Sequence, residues 1–384
     1  MIARQISASI QGLTGQYSVF TITGPRQSGK TTLIRSLFST FPYFSLENPD
    51  TREQIRQDPR SLFARHGHRM ILDEVQRVPE LLSYIQGIVD EDRSACFVLS
   101  GSHNPLMMKS VNQSLAGRTA IFYLQPLSYV EIAATSSVGA LSYEELIYRG
   151  GYPRIYDRQI APERFYPDYL ETYVQRDVRQ LKNIGDLATF RRFMELCASQ
   201  IGQTVNYSNL ATAAGISLNT VKSWLSLLET SFVTYTLNPY FRNFKKRLVK
   251  SPKLYFRDTG LACSLLRLTS AEAVANYYQI GALFENLVMN EYSKSYFNRG
   301  ERPPFYFWRD NSGHEIDLLI DLGGRLQPLE IKAGRTYRRD FFKQLDWFQG
   351  VANLPLDKPT VIYGGDDDWP TDHGLLHSWR QIGH

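Results

Sequence analysis

The residues best suited to chemistry lie between positions 24 and 31, where the sequence reads Gly-Pro-Arg-Gln-Ser-Gly-Lys-Thr. This is a complete G-x-x-x-x-G-K-[ST] phosphate-binding loop. Gly24 and Gly29 allow the tight turn that points successive backbone N–H groups at an anion. Lys30 is expected to reach the β- and γ-phosphates of ATP, and the Thr31 hydroxyl to ligate Mg²⁺. The predicted nucleotide-binding residues are Gly24, Pro25, Arg26, Gln27, Ser28, Gly29, Lys30, Thr31 and Thr32.

Two adjacent acids, Asp73 and Glu74, follow a short apolar segment about forty residues after the loop. In nucleotide hydrolases with such a loop, one acid holds the magnesium ion and another group orients the attacking water. We therefore predict Asp73 as a metal ligand and Glu74 as the catalytic carboxylate.

The elements around these residues predict an α/β fold with a parallel sheet. An apolar strand at 19–23 precedes the loop, and a helix at 31–37 follows it. Further short apolar runs alternate with polar or helical segments, which is typical of a sheet covered on both faces. They lie at 43–46, 70–72, 96–100 and 120–124. Ligands bind at the carboxyl ends of such strands, so the polar segment 100–104 is expected to face the nucleotide.

Roughly residues 1–185 resemble the AAA+ ATPases. The resemblance implies that the fourth strand lies between the loop strand and the Asp-Glu strand. It implies a polar sensor at the end of that fourth strand, with Ser102 as the first choice and His103 or Asn104 as the second. It also implies an arginine finger donated to a neighbouring subunit, for which Arg118 is the candidate. The alternatives are a polar turn for the sensor and a surface arginine for the finger.

Residues 141–185 are predicted to form a helical lid, and residues 186–257 a winged helix. Ser208 and Ser217 are expected to cap two short helices, with Gly215 making the turn between them. The second helix has a buried apolar stripe at i, i+3, i+4 and i+7 spacing. Its outer side carries Asn219, Thr220, Lys222 and Ser223.

A basic run follows, in which no acid interrupts the cations. The run consists of Arg242, Lys245, Lys246, Arg247, Lys250, Lys253 and Arg257, with Phe241, Phe244 and Tyr255 interleaved. Clustered cations beside a helix-turn-helix favour contact with the DNA backbone. Two alternatives stay open, because winged helices also dock proteins and basic runs are often solvated loops.

The C-terminal third carries carboxylates in an ordered arrangement. Glu285 lies on a predicted helix, Asp317 on a predicted strand, and Glu330 and Lys332 two apart on the next strand, so that they share one face. Two carboxylates and a lysine at one sheet edge can hold Mg²⁺ and orient a water for phosphodiester attack.

This order resembles the PD-(D/E)XK nuclease fold. The resemblance implies that Glu285, Asp317 and Glu330 are metal ligands, that Asp317, Glu330 and Lys332 are catalytic, and that Gln344 is an auxiliary polar residue. The whole chain also resembles a widespread group of prokaryotic ATPases that join an AAA+ module to this domain. Such domains can bind DNA without cleaving it, so cleavage stays open.

The whole chain has 384 residues, which is too long for one typical domain. We predict an ATPase core at 1–140, the lid at 141–185, the winged helix at 186–257 and an α/β restriction-endonuclease-like domain at 258–384. A net charge of +5 permits a nucleic-acid partner without requiring one. Three distant cysteines suggest neither a disulfide framework nor a zinc site, which fits the cytoplasm. No signal core or membrane-spanning run is expected.

The resulting prediction is an ATP- and Mg²⁺-dependent AAA+-type ATPase, expected to be a homo-oligomer, that couples its nucleotide state to DNA binding and to metal-dependent DNA cleavage. The alternative is a nucleotide-controlled switch that binds a protein partner and carries a degenerate nuclease fold.

Overall fold

The computed structural model describes residues 2–102, 111, 113–135, 141–173, 186–241, 249–352 and 354–383. The chain forms two compact units. The first contains Met1–Leu127, Thr230–Phe232 and Tyr296–Glu301. The second contains Ser128–Glu229, Val233–Ser295 and Arg302–His384. The segments predicted as lid, winged helix and nuclease-like domain therefore fall almost entirely within one unit.

The first unit is built on a five-stranded parallel sheet with the strand order β2-β3-β4-β1-β5. The strands are β1 Val19–Gly24, β2 Tyr43–Ser45, β3 Arg69–Asp73, β4 Cys96–Ser102 and β5 Thr119–Tyr123. The fourth strand lies between the loop strand and the Asp-Glu strand, which confirms the predicted order. The phosphate loop and the two acids consequently lie near the carboxyl ends of strands separated by β4 alone.

Helices cover both faces of this sheet because its strands are apolar on both sides. Successive side chains of a strand point to opposite faces, and β4 accordingly contributes Phe97 and Leu99 to one core and Cys96 and Val98 to the other. The first core also takes side chains from α3 Pro49–Gln57, α4 Pro59–His66 and α5 Leu81–Glu91. The second takes them from α1 Ile6–Gly12 and α2 Lys30–Leu37.

The second unit begins with a run of short helices followed by a helix-turn-helix and a two-stranded sheet. The short helices are α6 Tyr129–Ala133, α7 Tyr143–Arg149, α8 Pro153–Asp157 and α9 Pro162–Tyr173. Next come α10 Leu187–Ala198, α11 Tyr207–Ala214, α12 Leu218–Thr230, β6 Thr234–Leu237 and β7 Lys253–Phe256. Strands β6 and β7 pair antiparallel.

The caps of the helix-turn-helix agree with the predictions except at one position. Gly215 ends α11 with a left-handed φ of 71°, and the Ser217 hydroxyl accepts a hydrogen bond from the Thr220 N–H. The prediction that Ser208 caps α11 is wrong. Asn206 is the N-cap, and its side chain accepts from the Asn209 N–H at 3.0 Å, because the helix begins at Tyr207, one residue before Ser208.

Two cations of the basic run are buried or only partly exposed. Lys253 is only 2% exposed. Arg257 is packed with its guanidinium carbon 4.1 Å from the centre of the Tyr235 ring, and burial lowers its pKa. The prediction of an exposed basic run is therefore wrong at Lys253, Arg257 is only partly exposed, and residues 242–248 lie outside the described part of the chain.

The rest of the second unit is a six-stranded mixed sheet with helices packed on it. Its order is β12-β13-β11-β10-β9-β8. The strands are β8 Phe305–Arg309, β9 Glu315–Asp321, β10 Leu326–Lys332, β11 Thr360–Tyr363, β12 Trp369–Thr371 and β13 Gly374–Ser378. The helices are α13 Thr259–Leu265, α14 Ala271–Ala275, α15 Ile280–Asn298 and α16 Lys343–Gln349. Strand β10 runs parallel to β11 and antiparallel to β9. Leu345 and Phe348 of α16 pack against Trp308 and Val361 of the sheet.

Across the described ranges, none of the helices combines the length and the apolar character needed to cross a membrane.

Candidate functional site

The phosphate loop joins β1 to α2 through two glycines in conformations that other residues rarely adopt. Gly24 has a φ of 148°, and a Cβ atom there would lie 2.2 Å from the carbonyl oxygen of Leu124. Gly29 has a left-handed φ of 94°, and Lys30 begins the helix immediately after it. The unpaired N–H groups and the positive dipole end of a helix N-terminus are well suited to bind a phosphate.

Inside the loop, the Lys30 side chain donates hydrogen bonds to neutral carbonyl oxygens. Lys30 is buried, and its Nζ donates to the carbonyl oxygens of Gly24 at 3.0 Å and Pro25 at 2.8 Å. The Ser28 Oγ is also buried and has no hydrogen-bond partner among the described residues. Both groups lie inside the loop, where a bound phosphate would be within their reach.

Arg4 clamps the loop from outside, and the sequence analysis missed it. Its Nη1 donates to the carbonyl oxygen of Ser28 at 2.8 Å, and its Nη2 to that of Gln125 at 2.6 Å. This guanidinium therefore ties the loop to the segment that follows β5. A single arginine near the start of the chain gives no local signal of such a role.

Asp73 is a buried carboxylate held by three neutral hydroxyl groups. Its Oδ2 accepts from Thr31 Oγ1 and from the Tyr43 hydroxyl, each at 2.7 Å, and its Oδ1 accepts from Ser100 Oγ. Burial and the hydrogen bond to Asp73 raise the pKa of Tyr43, so that its hydroxyl stays protonated. The structure thus brings together the two predicted metal ligands, Thr31 and Asp73.

The contacts that Tyr43 and Ser100 make with Asp73 were not predicted because they depend on the sheet, although Ser100 lies in the segment expected to face the nucleotide. Ser100 pairs directly with Asp73 between β4 and β3. Tyr43 lies on β2, on the other side of β3, where it pairs with Ile71. The strand order supplied the only sequence signal that could have found them.

Glu74 follows Asp73 in a strained backbone conformation. Its φ of 59° is left-handed, which is uncommon for a residue other than glycine. Its N–H donates to Asp73 Oδ1 at 3.1 Å, and its carboxylate accepts a hydrogen bond from the Gln76 side chain. Such outliers cluster at functional sites.

The predicted sensor, Ser102, lies beside the phosphate loop, and the predicted arginine finger, Arg118, forms an ion pair. The backbone of Ser102 pairs with Gly24, so β4 ends beside the start of the loop. The alternatives His103 and Asn104 lie outside the described residues. Arg118 makes a bidentate ion pair with Asp90 of α5, at 2.6 and 2.9 Å. The action of Arg118 on a neighbouring subunit stays a prediction.

A second group of charged residues lies in the C-terminal sheet. We call it the carboxylate–lysine cluster, and it consists of Lys253, Glu285, Glu315, Asp317, Glu330 and Lys332. The structure brings together the four residues that the nuclease resemblance indicated and adds Lys253 and Glu315, which the sequence analysis did not place there.

Lys253 lies among three carboxylates. Its Nζ contacts Glu285 Oε1 at 2.9 Å, Asp317 Oδ1 at 3.8 Å and Glu315 Oε1. Burial alone would lower the pKa of Lys253, but the surrounding carboxylates, Glu285 foremost, raise it above its ordinary value. The Tyr255 hydroxyl also donates to Glu285 Oε1, at 2.5 Å. Burial raises the pKa of Glu285 to about 7, with Lys253 opposing this shift.

Glu330 and Lys332 share one face of β10, as their spacing predicted. Lys332 Nζ lies 2.5 Å from Glu330 Oε1. Burial and the nearby Asp317 raise the pKa of Glu330 to about 8, and Lys332 opposes them. Asp317 Oδ2 accepts a hydrogen bond from the Ile331 N–H at 2.9 Å, which fixes it beside this strand. Gln344 contacts His314, its Oε1 lying 3.1 Å from the ring Nδ1.

The carboxylate–lysine cluster does not fit a divalent metal ion as it is arranged. Within the ranges that the structure describes, no three His, Cys, Asp or Glu side chains are placed to hold one. The reason is visible in the contacts, since Lys253 and Lys332 already occupy the carboxylates that would be ligands. No cleavage step can be derived from this arrangement.

The helix-turn-helix presents a polar surface along α12. Asn219 and Lys222 are exposed, while Val221 and Trp224 are buried. Lys222 Nζ lies 6.0 Å from the ring centre of Tyr207 on α11. This outer face agrees with the side that the sequence pattern predicted.

Three family models match successive parts of the chain. Residues 16–133 match an AAA domain. Residues 140–272 and 280–381 match two domains of unknown function, DUF8612 and DUF4143. Together with the strand order and the phosphate loop, the first match identifies a P-loop ATPase domain of the AAA type. The second match spans both the predicted lid and the predicted winged helix.

Similar proteins occur in Mycobacterium and in Haemophilus influenzae. Uncharacterized proteins of Mycobacterium bovis and Mycobacterium tuberculosis are each 29% identical over 372 residues, which is 96% of this chain and 81% of each relative. An uncharacterized protein of Haemophilus influenzae is 24% identical over 271 residues, covering 62% of this chain and 67% of that protein. Among solved structures, a Walker-type ATPase of Pyrococcus abyssi aligns with a TM-score of 0.46 and 14% identity over 69% of this chain and 96% of that one.

Proposed function

We propose that this protein binds ATP in the phosphate loop and hydrolyses it with Mg²⁺. The observation that carries the proposal is the contact between Thr31 and Asp73. An alcohol and a carboxylate from separate elements meet beside the loop, and oxygen ligands of this kind are those that Mg²⁺ prefers. A magnesium ion held there would neutralise charge on the transferred phosphoryl group.

Different residues at the phosphate loop have different roles in binding the phosphates. Lys30 exchanges its two carbonyl acceptors for phosphate oxygens, and the Ser28 hydroxyl donates a further hydrogen bond. Arg4 keeps the loop backbone in place from the outside. The two acceptors that Lys30 exchanges, the carbonyl oxygens of Gly24 and Pro25, are neutral.

Glu74 orients and polarises the water that attacks the γ-phosphate. Its backbone turns out of the strand direction at this residue, and its carboxylate is held by Gln76 alone among the hydrogen bonds that the described residues make to it. A carboxylate held by a neutral amide keeps its charge available to a water molecule.

The test of ATP binding compares wild type with Lys30→Ala by equilibrium titration of a fluorescent ATP analogue. We expect Lys30→Ala to lose most of its affinity, because the buried lysine expected to reach the β- and γ-phosphates is removed. Lys343→Ala is the control, since Lys343 lies on α16 of the other unit and its removal leaves the loop intact. Equal affinities for wild type and Lys30→Ala would overturn the proposal.

For turnover we further propose that Arg118 acts on the γ-phosphate held by a neighbouring subunit, with Ser102 as the sensor. Arg118→Ala should lose hydrolysis and keep ATP affinity, and mixing it with Lys30→Ala subunits should restore part of the turnover. A fully active monomer at low protein concentration would contradict this role.

A second proposal concerns what the ATPase controls. The exposed polar face of α12, with Lys222 and Asn219, supports DNA contact by the helix-turn-helix. The order of helix, two short helices and an antiparallel strand pair supports a winged helix. The alternative is a protein partner, for which the burial of Lys253 is an argument, because it removes a cation from the predicted DNA surface.

Fluorescence anisotropy with labelled duplex DNA separates these alternatives. We expect DNA binding that weakens as salt rises, and a lower affinity in Lys222→Ala and in the triple variant of Lys245, Lys246 and Arg247 to Ala. The control is Lys294→Ala, since Lys294 is buried and pairs with Glu291. Wild type that shows no affinity even at low salt would favour the protein partner.

The C-terminal sheet supports a nuclease-like fold. The helix α15, the strands β8, β9 and β10, the helix α16 and the strand β11 follow one another, with Glu285 on α15, Asp317 on β9 and Glu330 on β10. Because Lys253 and Lys332 occupy these carboxylates, the arrangement favours the degenerate form of that fold over an active cleavage site.

A further inference from the structure

We propose that the ammonium group of Lys253 is the resident cation of the carboxylate–lysine cluster, so that a divalent metal ion binds there only in competition with this lysine. The proposal rests on the nuclease-like interpretation of the C-terminal sheet. It explains why carboxylates in a nuclease-like order leave no group of described residues suited to a metal.

The position of Lys253 is that of a bound cation. Its Nζ lies within 4.0 Å of carboxylate oxygens from Glu285 on α15 and from Glu315 and Asp317 on β9. The lysine itself comes from a third element, β7. A cation surrounded by oxygens from several elements is the arrangement that a metal ion would also require.

The lysine is fixed in this position by its surroundings. The side chain is 2% exposed, and its Nζ lies 5.6 Å from the centre of the Phe307 ring on β8. A lysine buried to this extent is stable only when it is paired. The main chain of β7 is held by β6 on one side and by a bridge between Thr204 and Lys253 on the other.

The carboxylate–lysine cluster contains more carboxylates than lysines. Four carboxylates face two lysines, and Arg309 reaches the second oxygen of Glu315 at 3.2 Å. Glu330 is only 3% exposed, and its Oε2 has no hydrogen-bond partner among the described residues. Removing Lys253 would leave Glu285, Asp317 and Glu330 with an excess negative charge that one divalent cation can neutralise.

The test measures Mn²⁺ binding to the nucleotide-free, full-length protein by electron paramagnetic resonance. Both proteins compared carry Asp73→Asn, which removes the carboxylate at the phosphate loop. We expect Lys253→Met to bind Mn²⁺ at least about tenfold more tightly than its parent, because the competing charge is gone. Lys294→Met is the matched control, since it removes another buried lysine that pairs with a glutamate, and it should leave Mn²⁺ affinity unchanged.

The double variant Lys253→Met with Glu315→Gln tests the same proposal if Lys253→Met alone does not fold. It removes one excess negative charge while keeping Glu285, Asp317 and Glu330, and its melting temperature should rise when Mn²⁺ is added. Equal, measurable Mn²⁺ affinity in parent and Lys253→Met would overturn the competition and leave the metal site standing. If neither the single nor the double variant binds Mn²⁺, both the competition and the metal ligands assigned by the nuclease resemblance are wrong.

Discussion

The phosphate loop and the carboxylate–lysine cluster both contain buried charged side chains, but these have different partners in the two regions. Asp73 is held by the neutral hydroxyls of Thr31, Tyr43 and Ser100, and Lys30 rests on neutral carbonyl oxygens. In the cluster, by contrast, lysines are paired directly with carboxylates. Neutral partners can be exchanged for a ligand at small cost, whereas a buried ion pair cannot be broken without leaving a charge uncompensated.

This difference separates a site prepared for an external ligand from a site that is complete by itself. Nucleotide and magnesium bring charges of both signs, and at the phosphate loop Lys30 donates to neutral carbonyls while Asp73 accepts from neutral hydroxyls. In the carboxylate–lysine cluster, the cation is the Lys253 side chain of the protein itself. Lysine and carboxylate side chains therefore bind an external ligand in the first unit, whereas in the second unit they pair with each other and stabilise the fold.

The largest expected effect is on stability, from Lys253→Met in the absence of metal. Removing one partner of a buried ion pair leaves the carboxylates uncompensated, and the free energy of unfolding should fall by about 3–5 kcal/mol. Urea unfolding monitored by tryptophan fluorescence measures it. Adding Glu315→Gln should recover part of the loss. A loss below about 1 kcal/mol, the size of an exposed pair, would break the comparison.

The next effect is on turnover, from Glu74→Gln. The amide can no longer polarise the attacking water, so phosphate release should fall by about 100-fold or more while ATP binding is retained. Steady-state phosphate release and nucleotide titration measure the two quantities. Glu80→Gln is the control, because Glu80 is a half-exposed surface residue that pairs with Arg56. Undiminished turnover in Glu74→Gln would remove Glu74 from the catalytic role.

The smallest expected effect is on stability, from removing one of the neutral hydroxyl donors to Asp73. Tyr43→Phe removes one hydroxyl from Asp73 and should lower the free energy of unfolding by only about 1 kcal/mol, since Thr31 and Ser100 remain. Tyr84→Phe is the control, because the Tyr84 ring packs against Phe63 and makes no bond to Asp73. Thermal unfolding compares the two. A loss as large as that of Lys253→Met would show that the hydroxyls at Asp73 are not exchangeable.

The helix-turn-helix shows why some local patterns were ambiguous. Gly215 and Ser217 were predicted correctly because the turn requires a left-handed residue followed by a cap. Ser208 was assigned as the other cap, but Asn206 has that role. Both residues favour a helix N-cap. The choice depended on where the helix packs, which the pattern of single residues does not contain.

The sequence by itself determined the phosphate loop, the pair Asp73 and Glu74, and the shared face of Glu330 and Lys332. Each of these depends on residues that are contiguous or on one strand, where chain geometry alone fixes the relation. The tertiary structure decided that Arg4 clamps the loop, that Tyr43 and Ser100 hold Asp73, and that Lys253 lies among carboxylates instead of in an exposed basic run. Burial and long-range charge pairing arise only when separate elements pack together, and for that reason a run of cations in the sequence did not reveal which of them lie inside.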